Sequence, residues 1–512
     1  MAFESFLSVP LLSSVRSVSW LPWVSAALAA VIGSRCIYLL NFHPAAKFPG
    51  PRLAAVSHIY LVYYWMKGRY PWAVEELHKK YGPVFRIAPN EVIFSTPQAG
   101  NDIYTPAVKQ HETWRKTDLM DFGAGDLGFV WENDPVKRRE VARKVMPAFS
   151  NKALRAKEPI VHKYLDQFIE KMKLRGNTPQ GIEMRQWTFW LALDMSADLA
   201  YSREMHHLRD EKDSEFMTTM LGTSFYGTIV QLSRKVPILK PFAIFFVPLK
   251  VITLIPKFLK MNRDAVQARV DTRDKTTHPD FVDYMLPVEA PPPRTEKEKV
   301  HLEQVAMQLF IAGFDPIRLV YYGSIFYLLR TPHAYKALVE EIRSSFQSYD
   351  EITGDSTARL KYLQACLQES LRVFPLNSTG MPRESPGGTV DGVFIPEGVV
   401  CQVSLFTMAR SSEYFHDPAS YHPERWLPEY HPLYEEKFSN DALKDYFPFG
   451  LGPRACTGRE IAWSQTRLFL AKLLYTFDLE MIKGQDKMFE KDFTVHVMWD
   501  IPDMWVRLKP RK

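Results

Sequence analysis

A single cysteine set between two glycines, just ahead of a long helical run, constrains this chain more than any other feature. The stretch reads Phe449-Gly450-Leu451-Gly452-Pro453-Arg454-Ala455-Cys456-Thr457-Gly458, and the run from Arg459 to Phe477 has strong helical character. Glycine at 452 and 458 lets backbone pass close to a flat ligand and take angles that a side chain forbids. The amino end of the following helix points back at Cys456, where its partial positive charge and free amides favour a thiolate over a thiol. The other cysteines, Cys36, Cys366 and Cys401, show no paired or Cys-x-x-Cys spacing. That argues for a reducing compartment, with Cys366 and Cys401 as packing residues and Cys456 in a metal-ligand loop.

A lone thiolate pushing electron density into a haem iron is the ligation that favours splitting an O–O bond. The loop resembles that of the cytochrome P-450 family, whose Phe-x-x-Gly-x-Arg-x-Cys-x-Gly is matched at Phe449, Gly452, Arg454, Cys456 and Gly458. The resemblance implies a mainly α fold with small β-sheets. In it a haem b, ligated by Cys456, lies between a long oxygen-binding helix and the helix after the cysteine loop. It also implies that Arg454 reaches a haem propionate.

The long helix is visible independently. Thr295-Glu296-Lys297-Glu298 forms a capping box ahead of an apolar run that reaches Arg330. About 35 residues at about 1.5 Å each make a rod of about 50 Å, enough to cross a large domain. By resemblance this is the oxygen-binding helix, with Ala312-Gly313-Phe314-Asp315-Pro316-Ile317 in place of Ala-Gly-x-Asp/Glu-Thr-Thr. There Gly313 leaves room beside the haem for O2 and Asp315 supplies a proton route, but Pro316 replaces the threonine hydroxyl. Proline relays no proton and kinks a helix. Two readings stay open: a water or substrate hydroxyl does the relay, or altered proton delivery turns the chemistry toward rearrangement or dehydration.

Glu369 and Arg372, at i and i+3, share a helix face. His422-Pro423-Glu424-Arg425-Trp426 resembles the family's Pro-Glu-Arg-Phe segment, which adds Arg425 to make a buried triad. Arg139 and Arg143, in the basic run 137–144, also share a face. They read either as a solvated basic surface or, by resemblance, as candidates for a haem propionate or the reductase. Family position makes Arg383 a propionate contact, and Phe310, Phe314, Leu376, Met381 and residues 495–497 pocket lining or ordinary core. Alternating runs predict a helix and small hairpin over residues 71–97 and a second hairpin over 388–398.

With 512 residues, 46% of them apolar, and no repeat or long linker, the chain reads as one large domain behind a leader. The expected division is an anchor (1–41), a proline-rich hinge (42–52) and a haem-binding domain (53–512). Val18 to Leu40 is long and apolar enough to span a bilayer, although Ala26 to Ala30 also suits a cleaved signal peptide. Lys47 and Arg52 beyond it place the body in the cytosol by the positive-inside tendency. A second apolar region, Ile229 to Lys260, is too interrupted by proline and lysine to span; core helices and monotopic contact are both open. The net charge of +6 comes without the basic block of a nucleic-acid binder.

Taken together, the resemblance implies a single-pass, monomeric enzyme of the endoplasmic reticulum similar to fungal secondary-metabolism members. Electrons would come from NADPH through a flavoprotein reductase, with cytochrome b5 as a further partner. One O2-derived oxygen would enter an apolar small molecule such as a terpenoid, polyketide or alkaloid. The rivals are a haem-thiolate isomerase or dehydratase and a non-catalytic haem sensor.

Overall fold

The computed structural model describes residues 20–105, 114–242, 245, 249–276, 278–485 and 487–511. Its principal helices are α1 (Leu21–Asn41), α2 (Pro135–Val145), α3 (Asn151–Arg175), α4 (Met184–Tyr201), α5 (Glu215–Lys235), α6 (Leu249–Asp271), α7 (Glu296–Leu328), α8 (Lys361–Val373) and α9 (Arg459–Thr476). The capping box forms as the sequence predicts: Thr295 Oγ1 accepts the Glu298 N–H at 3.2 Å, and the Glu298 carboxylate accepts the Thr295 N–H at 3.0 Å. Both α1 and α7 are apolar enough to cross a membrane, but they differ in burial. Only 6% of the α1 window is buried, against 72% for α7, which is therefore the core helix of the body. α7 packs along α4 and against α8 and α9. It stays helical through Pro316.

α4 is buried on nearly every side, and its polar residues are consequently paired. Asp198 accepts hydrogen bonds from Lys163 Nζ and Tyr164 Oη of α3, both at 2.9 Å, and lies 3.2 Å from His278 Nε2. The hydrogen bond to Asp198 raises His278 above its ordinary 6.5, with burial opposing. A raised folded-state value means that this stabilisation is complete below the unfolded pKa and is lost as pH rises through the folded one. Urea unfolding should accordingly show less stability from this group at pH 8 than at pH 6. His278→Gln should flatten that slope; an unchanged slope would assign it to other groups.

A five-stranded sheet packs beside the helical body in the order β1 (Val84–Ala88), β2 (Glu91–Phe94), β5 (Val400–Val403), β4 (Arg383–Glu384), β3 (Arg115–Lys116). β1 and β2 form the predicted antiparallel hairpin, and β2 runs parallel to β5. The second predicted hairpin pairs residues 388–390 with 393–395, turning at Asp391-Gly392, both with positive φ. The proline-rich stretch after α1 is docked on this sheet rather than standing free. Ala45 and Phe48 are buried, Lys47 Nζ donates to Phe394 O at 2.6 Å, and Pro49 O accepts the Arg86 N–H at 2.8 Å. Glycine is required at 50, because a Cβ would sit 2.3 Å from Arg86 O. Arg86, buried, also donates to Leu39 O of α1 at 2.8 Å.

Residues 18–19 of the leader's apolar run and most of 243–248 lie outside the described residues. Nearby, Ile238 and Phe245 are strongly exposed, and α6 continues through Pro256.

Candidate active site

The cysteine loop is built by backbone. Cys456 N–H donates to Phe449 O at 2.7 Å, and Ala455 N–H to Gly452 O at 3.0 Å, closing a tight turn ahead of α9. Phe449 stacks edge-on against Trp463 of α9, with centroids 5.2 Å apart. Gly452 is obligatory: its φ is +64°, and a Cβ would lie 2.1 Å from Tyr104 O. Gly458 differs from expectation, since its φ is −85° and a Cβ would make only ordinary contacts, one of them 3.9 Å from Cys456 Sγ. The room it leaves is beside the sulfur. Cys456 is exposed, whereas Cys366 and Cys401 are buried. Burial of the loop pushes the Cys456 thiol up, outweighing the Gly458 N–H and Arg459. A metal ion bound to the sulfur would favour the thiolate.

Four cations converge next to this loop. Lys116 of β3, Arg138 of α2, Arg383 of β4 and Arg454 influence one another electrostatically, and none forms an ion pair with a carboxylate among the described residues. Burial and then the three arginines push Lys116 well below the usual lysine range. Burial and the neighbouring cations push Arg138 and Arg454 down to about 10. Arg138 lies over the Phe129 ring at 3.6 Å, and Arg454 donates to Glu132 O at 2.6 Å. Such mutual repulsion persists only where an anion offsets it. Arg139 and Arg143, the two arginines that the helix-face argument selects, are exposed instead. The α2 turn that buries Arg138 directs those two to solvent.

The middle of α7 departs from expectation in a similar way. Gly313 faces α4: a Cβ there would lie 2.6 Å from Ser196 Oγ, which itself donates to Phe310 O at 2.7 Å. Its smallness serves close helix packing, while Ala312 is the accessible residue of this turn. Phe310 and Phe314 are buried, against Tyr201 and Phe216 for the first and Phe189 for the second, and Phe310 lines a small cavity with Tyr201, Phe216 and Asn262. Asp315 is held by Arg318 of its own helix, at 2.7 Å, and Arg318 also donates to Trp499 O at 3.2 Å. Pro316 offers no N–H to the Ala312 carbonyl. Leu376 and Met381 are half-buried; Leu376 O accepts from Trp499 Nε1 at 3.3 Å, and Met381 O from Tyr104 Oη at 3.1 Å.

Residues 49–504 match the sequence profile of cytochrome P-450. The chain belongs to the cytochrome P-450 family. It is similar to the cytochrome P-450 monooxygenase TwmD of Talaromyces wortmannii, with 43% identity over 99% of both chains. It is also similar to the cytochrome P-450 monooxygenases BOA3 of Botryotinia fuckeliana, at 34% over 93% of each, and poxC of Penicillium oxalicum, at 33% over 98% of this chain and 97% of the relative. As a cytochrome P-450 it is an oxidoreductase that incorporates oxygen from O2, with a haem-thiolate iron, a substrate and a redox partner. The residues present fit that group: an accessible thiol with space at Gly458, beside four cations suited to the two carboxylates of a haem.

Glu369, Arg372 and Arg425 meet in one fully buried network. Arg372 grips both Glu369 oxygens, at 2.8 and 2.7 Å, and Arg425 reaches Oε1 at 3.2 Å. Burial works to raise the Glu369 carboxyl, but the two guanidiniums overcome it and hold it below the usual range. Sequence reasoning missed Trp426, which donates to Glu369 at 2.8 Å, and Asp441, which pairs with Arg425. It left open which basic residue of 137–144 turns inward, and it missed Lys116; a basic run on a helix does not by itself show which face is buried. Gly227 of α5 is a further omission: a Cβ there would lie 2.6 Å from Val497 and 3.6 Å from Phe122, so three distant segments converge.

Proposed function

We propose that the protein is a membrane-anchored monooxygenase that inserts one oxygen atom into an apolar small molecule of secondary metabolism, by hydroxylation, epoxidation or successive oxidation. The observation that carries this reading is the accessible Cys456 thiol beside four buried or half-buried cations without a carboxylate partner among the described residues. A bound haem b supplies O–O cleavage and oxygen transfer. Cys456 would ligate its iron, while Lys116, Arg138, Arg383 and Arg454 would hold its propionates. Electrons come from NADPH through a flavoprotein reductase, with cytochrome b5 as a second donor. α1 anchors residues 53–512 as a monomer on the cytosolic face of the endoplasmic reticulum, since Lys47 and Arg52 follow the apolar run.

Substrate-dependent NADPH consumption with incorporation of one atom of labelled O2 is the expected result; turnover without NADPH or O2 would replace this reading. Removing a charge-assisted propionate contact weakens retention of the group by about 2 kcal/mol. Arg138→Ala should therefore lower haem content and speed haem loss roughly tenfold or more, whereas Arg139→Ala and Arg143→Ala should leave both unchanged.

The structure favours a second reading at one point. Asp315 is tied to Arg318, and Pro316 carries no hydroxyl, so neither side chain delivers a proton as a free acid–alcohol pair would. On this reading proton delivery is altered and the chemistry turns toward rearrangement or dehydration. Pro316→Thr should then alter the products; a variant that changes only rate and coupling would retire the idea.

A further inference from the structure

His333 is the second residue of the helix Pro332–Ser345, while His422 immediately precedes the short turn Pro423–Trp426 and Glu424 lies within it. One ligand atom from each lies within 4.8 Å of the others, and His333 Nε2 is 3.8 Å from Glu424 Oε1. Glu424 is only 6% exposed. Its Oε1 accepts from Tyr362 Oη at 2.6 Å, but its Oε2 has no hydrogen-bond partner. A buried carboxylate oxygen without a donor calls for a cation. Asp417 Oδ2 lies 2.9 Å from His422 Nε2. It backs that ring if Nδ1 binds, and adds an oxygen donor if Nε2 does.

We propose that His333, His422 and Glu424 form a binding site for a divalent transition metal of the zinc class. Two imidazoles and one carboxylate favour zinc, nickel or copper over magnesium or calcium, which prefer all-oxygen sets. His333 reaches in from solvent, its side chain 61% exposed, so water completes the coordination. The bound ion would cross-link the helix after α7 to the turn whose His422 N–H donates to Glu369 at 2.8 Å. It stabilises the fold by mass action, at a place separate from Cys456.

The test uses tag-free, haem-loaded protein, stripped with a chelator and titrated with Zn2+ by calorimetry, with thermal midpoints measured alongside. One saturable site and a raised midpoint are expected. His333→Ala and Glu424→Gln, which keeps an acceptor for Tyr362, should each weaken Zn2+ binding about tenfold or more, with the haem spectrum unchanged. No saturable binding in the wild type, equal effects of Mg2+ and Zn2+, or binding untouched by both substitutions would overturn the proposal.

Discussion

Cys456→Ser should abolish the thiolate-type carbon monoxide difference spectrum of the reduced haem and cut turnover at least about a thousandfold, some 4 kcal/mol of barrier. The substitution isolates ligation from folding because the loop is set by main chain. The Cys456 N–H bond to Phe449 O, the Gly452 turn and the Phe449–Trp463 contact do not involve the sulfur. Serine fits the same space but gives up the soft, strongly donating ligand. Folded protein that binds haem without the thiolate spectrum is the expected outcome. A normal spectrum in the serine variant would remove Cys456 from the role.

Glu369→Ala carries the second large effect, on stability before activity. It would strand two fully buried guanidiniums that now share one carboxylate, and breaking such a network by one partner costs about 3–5 kcal/mol. Arg372 would keep the Ala409, Pro418 and Ser420 carbonyls, and Arg425 would keep Asp441, so the lower part of that range applies. Purified protein should be largely haem-free or aggregated, with any folded fraction unfolding at lower urea. Glu369→Gln, which preserves hydrogen bonding to Trp426 but not charge, should fall between. Full haem occupancy and normal unfolding in the alanine variant would show the network to be dispensable.

Local signals made much of this molecule legible. Thr295 and Glu298 announce the start of α7 because a capping box is a contact between residues three apart. The glycine, alternation and turn pattern likewise reveals both hairpins. Side-chain direction within helices was harder to read. Arg138, Arg139 and Arg143 are alike in composition, and which one turns inward depends on Phe129, Lys116 and Arg454, all brought in by tertiary folding. The same applies to Gly313, whose partner Ser196 lies more than a hundred residues earlier in the chain and is invisible to any local pattern. Phe310 and Phe314 face α4 for that reason.

Arg86 has a mechanical consequence. Its guanidinium holds Leu39 O near the end of α1, its own N–H holds Pro49 O, and its chain neighbours pair across the sheet hairpin. Were α1 seated in a bilayer, as proposed above, this joint would be a weld rather than a tether. The helix then acts as a keel: the heading and pitch of the body above the membrane are fixed by how α1 sits among the lipids. Arg86→Ala would remove the tie to Leu39 O and keep the main-chain bond to Pro49 O, loosening the joint at the end of α1 alone.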